Sequence, residues 1–569
     1  MNHISSLTAQ DFMTITWTQL EPRARQLLRM ELNEKNVGDW LMEWSDLSRI
    51  ISEAYQRRYA ATTVDTTDET ALQQYQAYVD EIQPAWMEIE QKLKEKLLAS
   101  GMEPPELEIP LRNMRAESDL YQEANLPLLS EELKLSNEYD QIIGAQTTQW
   151  EGEEVTLTQL QPVYQERERA RRELAWRAAA ERRLADRQTL NDLWRQLLDL
   201  RLKIAANTEK EDYRAYRWQQ MLRFDYTPQD CLHFHRAIER VVVPAASRLY
   251  EKRRLRLGLD TLRPWDLEVD PFGAEPLHPY HHTQELVAKT EAIFDALDPA
   301  LGNYFRIMKA ENLLDLDNRK GKAPGAYCTN FDASRKPFIF MNGVGLHDDV
   351  MTLVHEAGHA FHVFESVNLP YHCQTQVGLE FAEVASTSME LLAAPYLSQD
   401  EQGFYTPQQA ARARLAHLEQ LVLFLPFMAV VDAFQHWAYT QPERASQPKH
   451  CDAIWRELCQ RYMPGIDWSG LEEEYKTGWQ RKLHIFQVPF YYIEYGLAQL
   501  GAIQVWANAL NNPTRAIADY RRALSLGGTA PLPQLYAAAG ARFAFDDAIL
   551  HRAISLIEKT MTELEESLS

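Results

Sequence analysis

From about Glu31 to Lys96, apolar positions such as Trp40, Trp44, Leu47 and Ile51 fall three or four residues apart, the period of helices that bury one face. The Pro-containing stretch GMEPPELEIP, ending at Pro110, reads as a connection. Between Gln165 and Asn207, the positions Leu190, Leu193, Trp194, Leu197 and Leu198 form an apolar stripe on a long, otherwise charged helix. Four prolines, Pro264, Pro271, Pro276 and Pro279, turn Leu257–His282 into a predicted surface connection, after which helical periodicity resumes through Met308. The segment Gly321–Gly343 differs. Turn residues there flank two short runs, Ala326–Asn330 and Phe338–Met341, which predict a small β-hairpin, the one strong strand signal in the chain. From Asp348 onward helix dominates. The most apolar run, Leu421–Val431, is short for a bilayer and contains Pro426, so it predicts a buried helix. No repeat or low-complexity tract interrupts this order. The expected fold is mostly α, large, with one small β-hairpin.

Composition sharpens that expectation. Glycine is scarce, 22 in 569 residues, which favours helices over sheets. A net charge of −23 argues against binding a phosphate backbone. The arginine-rich run ERERARRELAWRAAAERR is interspersed with glutamates and reads as a solvated, salt-bridged helix face. No nucleic-acid partner is expected. The five cysteines, Cys231, Cys328, Cys373, Cys451 and Cys459, are odd in number and include no Cys-x-x-Cys pair. That excludes a disulfide framework and points to a reducing compartment. The stretch MNHISSLTAQDFMTITWTQLEP has no basic segment followed by an apolar core, so the expected location is cytoplasmic, with no membrane partner. Oligomeric state has no signature in the sequence.

Just after the hairpin comes HDDVMTLVHEAGHAFHVFES, a helix that Asp348 or Asp349 can cap. His355 and His359 are four apart and project from one helical face, where two imidazoles can meet a single metal ion, and Glu356 sits beside them. The string His-Glu-x-x-His is short enough to arise by chance. Its setting is apolar, however: Leu353, Val354, Ala357 and Phe361 flank it, and Gly358 thins the helix. Unpaired histidines on a helix buried this way would be costly. A catalytic zinc takes a third protein ligand and keeps one position open. A third histidine on the same helix would need glycine at 362 and histidine at 365, but the sequence has His362 and Glu365. The ligand must come from elsewhere, and QVGLEFAEVASTSMELL offers Glu380, Glu383 and Glu390. Periodicity leaves all three open, since with Thr387 they share one helical face.

HEAGHAFH, followed 24 residues after His359 by Glu383 in FAEVASTSMELL, resembles the thimet oligopeptidase and oligoendopeptidase F family. That family carries a His-Glu-x-Gly-His helix and a later Glu-x-x-Ser motif. The resemblance implies one zinc ion per chain on His355, His359 and Glu383. It makes Glu356 the base that takes a proton from the attacking water, and Glu390 a carboxylate that orients a ligand histidine. Glu380 is then the alternative ligand. His362 lies a turn too far along for simple coordination and is assigned to packing or to a place behind the ligands.

The segment HIFQVPFYYIEYGLAQLGA from His484 reads, on pattern alone, as an aromatic face for packing. The resemblance gives it chemistry: His484 contacts substrate, and Tyr492 and Tyr495 donate hydrogen bonds to the carbonyl oxygen as it becomes an oxyanion, with Tyr491 a rival for Tyr492. Gly325, Ala326 and Tyr327 would form an edge strand that pairs with an extended peptide, against the alternative of a hairpin that only covers the metal-binding helix. GGTAPLPQLYAAAG resembles a stretch of the family's cleft wall. The specific resemblance runs from about Gly321 to the end, while the N-terminal third matches only in being helical and charged.

The family's fold encloses a deep channel between two helical halves. Carried over, it implies an N-terminal helical region, 1–200, covering the channel and a catalytic domain, 201–569. The implied function is a zinc metalloendopeptidase acting on internal bonds of short peptides. The alternatives are a peptidyl-dipeptidase on the same scaffold and a non-catalytic peptide-binding protein with a structural zinc. An intact Glu356 argues against the last, because a structural site has no use for a base beside an open position.

Overall fold

The computed structural model describes residues 7–568; Met1–Ser6, the start of the stretch read above for a leader, lie outside the described residues. The N-terminal periodicity resolves into three helices, Val37–Val64 (α1), Glu69–Ala77 and Gln83–Ala99. On α1, Trp40, Leu47 and Ile51 are buried, and Trp40 Nε1 donates to the Leu27 carbonyl at 3.0 Å. Apolar side chains from Phe12 to Met114 form one cluster. A far larger one runs from Leu120 to Leu564.

Two expectations about helices need correction. Gln165–Asn207 is not one helix but two, Arg169–Ala185 and Arg187–Asn207, broken at Asp186. The Asp186 carboxylate takes a hydrogen bond from Gln146 at 2.9 Å and an ion pair from Arg182 at 2.8 Å, partners that the straight stripe of leucines could not announce. The connection before Pro110 is also shorter than read, because helix Glu108–Leu120 already contains that proline. A first-turn proline has no N–H that the helix needs.

The sheets exceed the single hairpin. An antiparallel pair, Thr147–Trp150 (β1) and Glu153–Thr156 (β2), turns at Glu151 and Gly152, both with positive φ. Its strands are too polar and exposed to show an alternating pattern. The second sheet contains the expected hairpin, Tyr327–Phe331 (β4) and Lys336–Gly343 (β5). It also contains Leu314–Asp317 (β3), which pairs parallel to β5, giving the order β3-β5-β4. A parallel partner brings no tight turn beside it, so β3 left no hairpin signal.

Five helices build the rest of the frame around the site. Pro228–Arg256 (α2) starts with a capping box, in which Thr227 and Asp230 each bond the other's backbone N–H. His347–Glu365 (α3) follows β5 directly. Its Asp349 accepts backbone N–H groups from Val344, Gly345 and Leu346 at 2.8–2.9 Å, capping from within the first turn. Leu379–Ala393 (α4), Pro407–Thr440 (α5) and Tyr492–Asn511 (α6) complete the set. The apolar run expected as a buried helix lies inside α5. By length and composition α5 could cross a membrane, but 61% of its apolar window is buried inside the protein. Helix α3 is held between the β4–β5 hairpin on one side and α4 on the other, and α4 leans on α6. Gly358 permits the α3–α4 contact: a Cβ there would come within 2.6 Å of Ser386 Cα and 2.7 Å of the Ala385 carbonyl.

Candidate active site

Helix α3 buries Leu353, Val354, Ala357 and Phe361, which leaves His355 and His359 side by side on the face turned to α4. Glu383, on the first turns of α4, meets them. Its Oε2 lies 3.5 Å from His355 Nε2 and 3.9 Å from His359 Nε2, and one donor atom from each of the three lies within 4.8 Å of the others. Two turns along α4, Glu390 Oε1 stands 2.6 Å from His355 Nδ1, so that nitrogen donates and Nε2 is left facing the cluster. Glu390 Oε2 lies 3.0 Å from Nε2 of His417 on α5. Ser386 Oγ donates to Glu383 Oε2 at 3.0 Å. Two imidazole nitrogens and a carboxylate, with His355 held by Glu390 and Glu383 by Ser386, form a donor set that suits a zinc-class cation.

Electrostatics separates the members. Burial pushes Glu356 up to about 7, only partly opposed by His355. Burial also raises Glu383. Burial and the neighbouring His355 push His359 down to about 3, the neutral form that a ligand needs. For His355, burial is outweighed by the bond to Glu390 and the field of the carboxylates, and it rises to about 9. The Cys328 backbone on β4 opposes the rise of Glu356, so strand and base are neighbours.

The other predicted residues divide into those the structure brings to this cluster and those it does not. Glu380, the alternative ligand, is directed elsewhere: Tyr226 donates to it at 2.7 Å and Arg223 sits 3.7 Å away. His362 is buried, edge-on to Phe381 at 6.2 Å between ring centroids, and stands outside the donor cluster. The tyrosines also part in position. Tyr491 reaches the cluster, its hydroxyl 3.5 Å from Glu383 Oε1, and Tyr495 packs edge-on against it at 5.1 Å. Tyr492 instead lies buried beside Phe424 and Phe427. The reason is rotational, since Tyr491 and Tyr495 are four apart on one helical face while Tyr492 is turned about 100° from Tyr491. His484 packs against all three rings, closest to Tyr492 at 4.7 Å, and burial lowers it to about 4.

In the order β3-β5-β4, β4 forms an edge. Gly325, at φ +96, precedes it, Ala326 packs partly buried against the core, and Tyr327 Oη lies 2.6 Å from Thr63 Oγ1 of α1. Cys328 and Asn330 of the strand line a cavity of about 360 Å3 together with His359, His362 and Glu383. One residue at the site was missed by sequence reasoning. His417 lies in a 34-residue helix, and no spacing links it to Glu390.

A profile of Peptidase family M3 matches residues 163–554, and one of the Peptidase M3 N-terminal domain matches residues 9–108. The oligoendopeptidase F homolog of Lactococcus lactis subsp. lactis is 23% identical over 391 residues, which cover 64% of this chain and 60% of that protein. Oligopeptidase PepF of Bacillus subtilis is 24% identical, covering 57% of this chain and 48% of that one. The chain therefore spans about half to three fifths of the length of these curated relatives. A solved structure of PZ peptidase A with an inhibitor superposes with a TM-score of 0.86 at 29% identity, covering 98% of this chain and 99% of that chain.

Proposed function

The chain belongs to Peptidase family M3, and from that premise we propose that it is a zinc-dependent oligoendopeptidase, hydrolysing internal bonds of short peptides. One observation carries the reading: His355, His359 and Glu383 converge within 4.8 Å beside the buried carboxylate of Glu356, at a cavity bordered by the edge strand β4. His355, His359 and Glu383 would hold the ion. When bound, zinc supplies Lewis acidity that polarises the scissile carbonyl and makes water a nucleophile at neutral pH.

The residues of the chain do the rest. An extended peptide adds to the free edge of β4 through main-chain hydrogen bonds, which tolerates varied side chains. Glu356 accepts the proton of the attacking water and returns it to the leaving amine. Tyr491, backed by Tyr495, donates to the oxygen that gains charge, and the buried setting strengthens that bond. Glu390 and His417 keep His355 in one tautomer and orientation.

A second reading, release of dipeptides from C-termini, calls for a cationic group that takes a free carboxylate. Arg183 and Arg481 line a cavity of about 520 Å3 together with Pro324, next to β4, and neither arginine forms an ion pair among the described residues. Internally quenched peptides blocked at both termini separate the two readings. We expect cleavage within the blocked peptide; activity confined to peptides with a free C-terminus would overturn the endopeptidase reading.

A further inference from the structure

Helices α2 and α5 pack against one another, and their seam holds a second set of metal-ligating side chains that the candidate active site does not use. Cys231 and His235 sit one turn apart on α2, and Asp432 and His436 one turn apart on α5, so each helix offers an i, i+4 pair to the other. The four are 0%, 2%, 0% and 4% exposed, respectively. One donor atom each from Cys231, Asp432 and His436 lies within 4.8 Å of the other two. His235 Nε2 lies 2.9 Å from Asp432 Oδ2.

Internal hydrogen bonding leaves this cluster incomplete. Among the described residues, Asp432 Oδ1 and both ring nitrogens of His436 are buried without a hydrogen-bond partner. His436 Nε2 stands 3.2 Å from Asp432 Oδ2, the same oxygen that His235 Nε2 approaches at 2.9 Å. Buried polar atoms left so are costly, and folded proteins rarely retain several in one place. A shared third partner would satisfy Asp432 Oδ1 and one ring nitrogen of His436 together.

We propose that Cys231, Asp432 and His436 bind a second divalent ion of the zinc class, with His235 holding the Asp432 carboxylate in place. A thiolate and a carboxylate together neutralise a dication, which suits an apolar seam, and the soft sulfur selects zinc over magnesium or calcium. Cys231 binds as thiolate and its proton leaves to solvent. The ion ties α2 to α5. It also fixes the floor beneath the tyrosines, because the His436 ring packs edge-on at 5.2 Å against Phe490, the residue before Tyr491. Its role is structural and independent of the peptidase reading.

The test uses the full-length chain produced with cobalt in place of zinc. Thiolate-to-cobalt charge transfer gives a near-ultraviolet absorption band that requires a cysteine ligand, and His355, His359 and Glu383 include none. We expect the band, and about two ions per chain by elemental analysis of both the cobalt and the zinc protein. Cys231→Ser should lose the band and one ion, whereas Glu383→Gln should lose the other ion and keep the band. Wild-type protein holding one ion without the band, or two ions without the band, overturns the proposal. Both of those outcomes are read on the wild-type chain, so neither requires a variant to fold.

Discussion

The two donor clusters share one device, residues four apart on one helix facing a second helix, and differ in what surrounds them. Around His355 and His359 the side chains keep 29% and 23% of their exposure, and His359 borders a cavity that residues of β4 also line. Around Cys231, Asp432 and His436 there is Phe490 and Trp218 and almost no exposure. The first cluster has a carboxylate, Glu356, that is not needed as a ligand; the second has none to spare. On the proposed readings, the same helical spacing serves catalysis where a position stays open to water and substrate, and serves only to fasten helices where it does not.

The largest effect that can break this contrast is loss of the spare carboxylate. Glu356→Gln should lower kcat by roughly 10³–10⁴-fold on a quenched peptide while elemental analysis finds the metal content unchanged. Activity near wild type would end the assignment of Glu356 as base. Next comes the oxyanion donor. Tyr491→Phe should cost about 10²-fold in kcat with KM little moved, whereas Tyr492→Phe should stay within a few-fold. The reverse pattern in steady-state kinetics would return the role to Tyr492.

A smaller effect sharpens the comparison from the ligand side. Glu390→Gln should weaken metal binding at the open site by about 10–100-fold, read by competition with a chromophoric chelator, and leave the thiolate band of the buried site intact. The smallest effect concerns packing alone. Gly358→Ala puts a Cβ against the α4 backbone and should destabilise by about 1–3 kcal/mol, visible as a lower Tm. An unchanged Tm would mean that α3 and α4 can separate without loss.

Much of the helical frame was legible because it rests on local periodicity. The i, i+4 spacing of His355 and His359 needs only a helix, and the apolar residues around them already announced burial. Breaks were harder to read where they depend on a distant partner. Asp186, where one helix ends, bonds Gln146 some 40 residues away, and β3 becomes a strand only because β5 lies beside it.

What the sequence determined by itself was the helix-rich class, the hairpin and the histidine pair on one turn, since each follows from spacing within a few residues. The tertiary structure alone decided which glutamate of α4 meets the histidines, which tyrosine faces them, and that His417 backs Glu390. It also brought Cys231 to Asp432 and His436 across some 200 residues of chain. The physical reason is that a helical period fixes which side chains share a face, while what that face meets is set by how the helices pack.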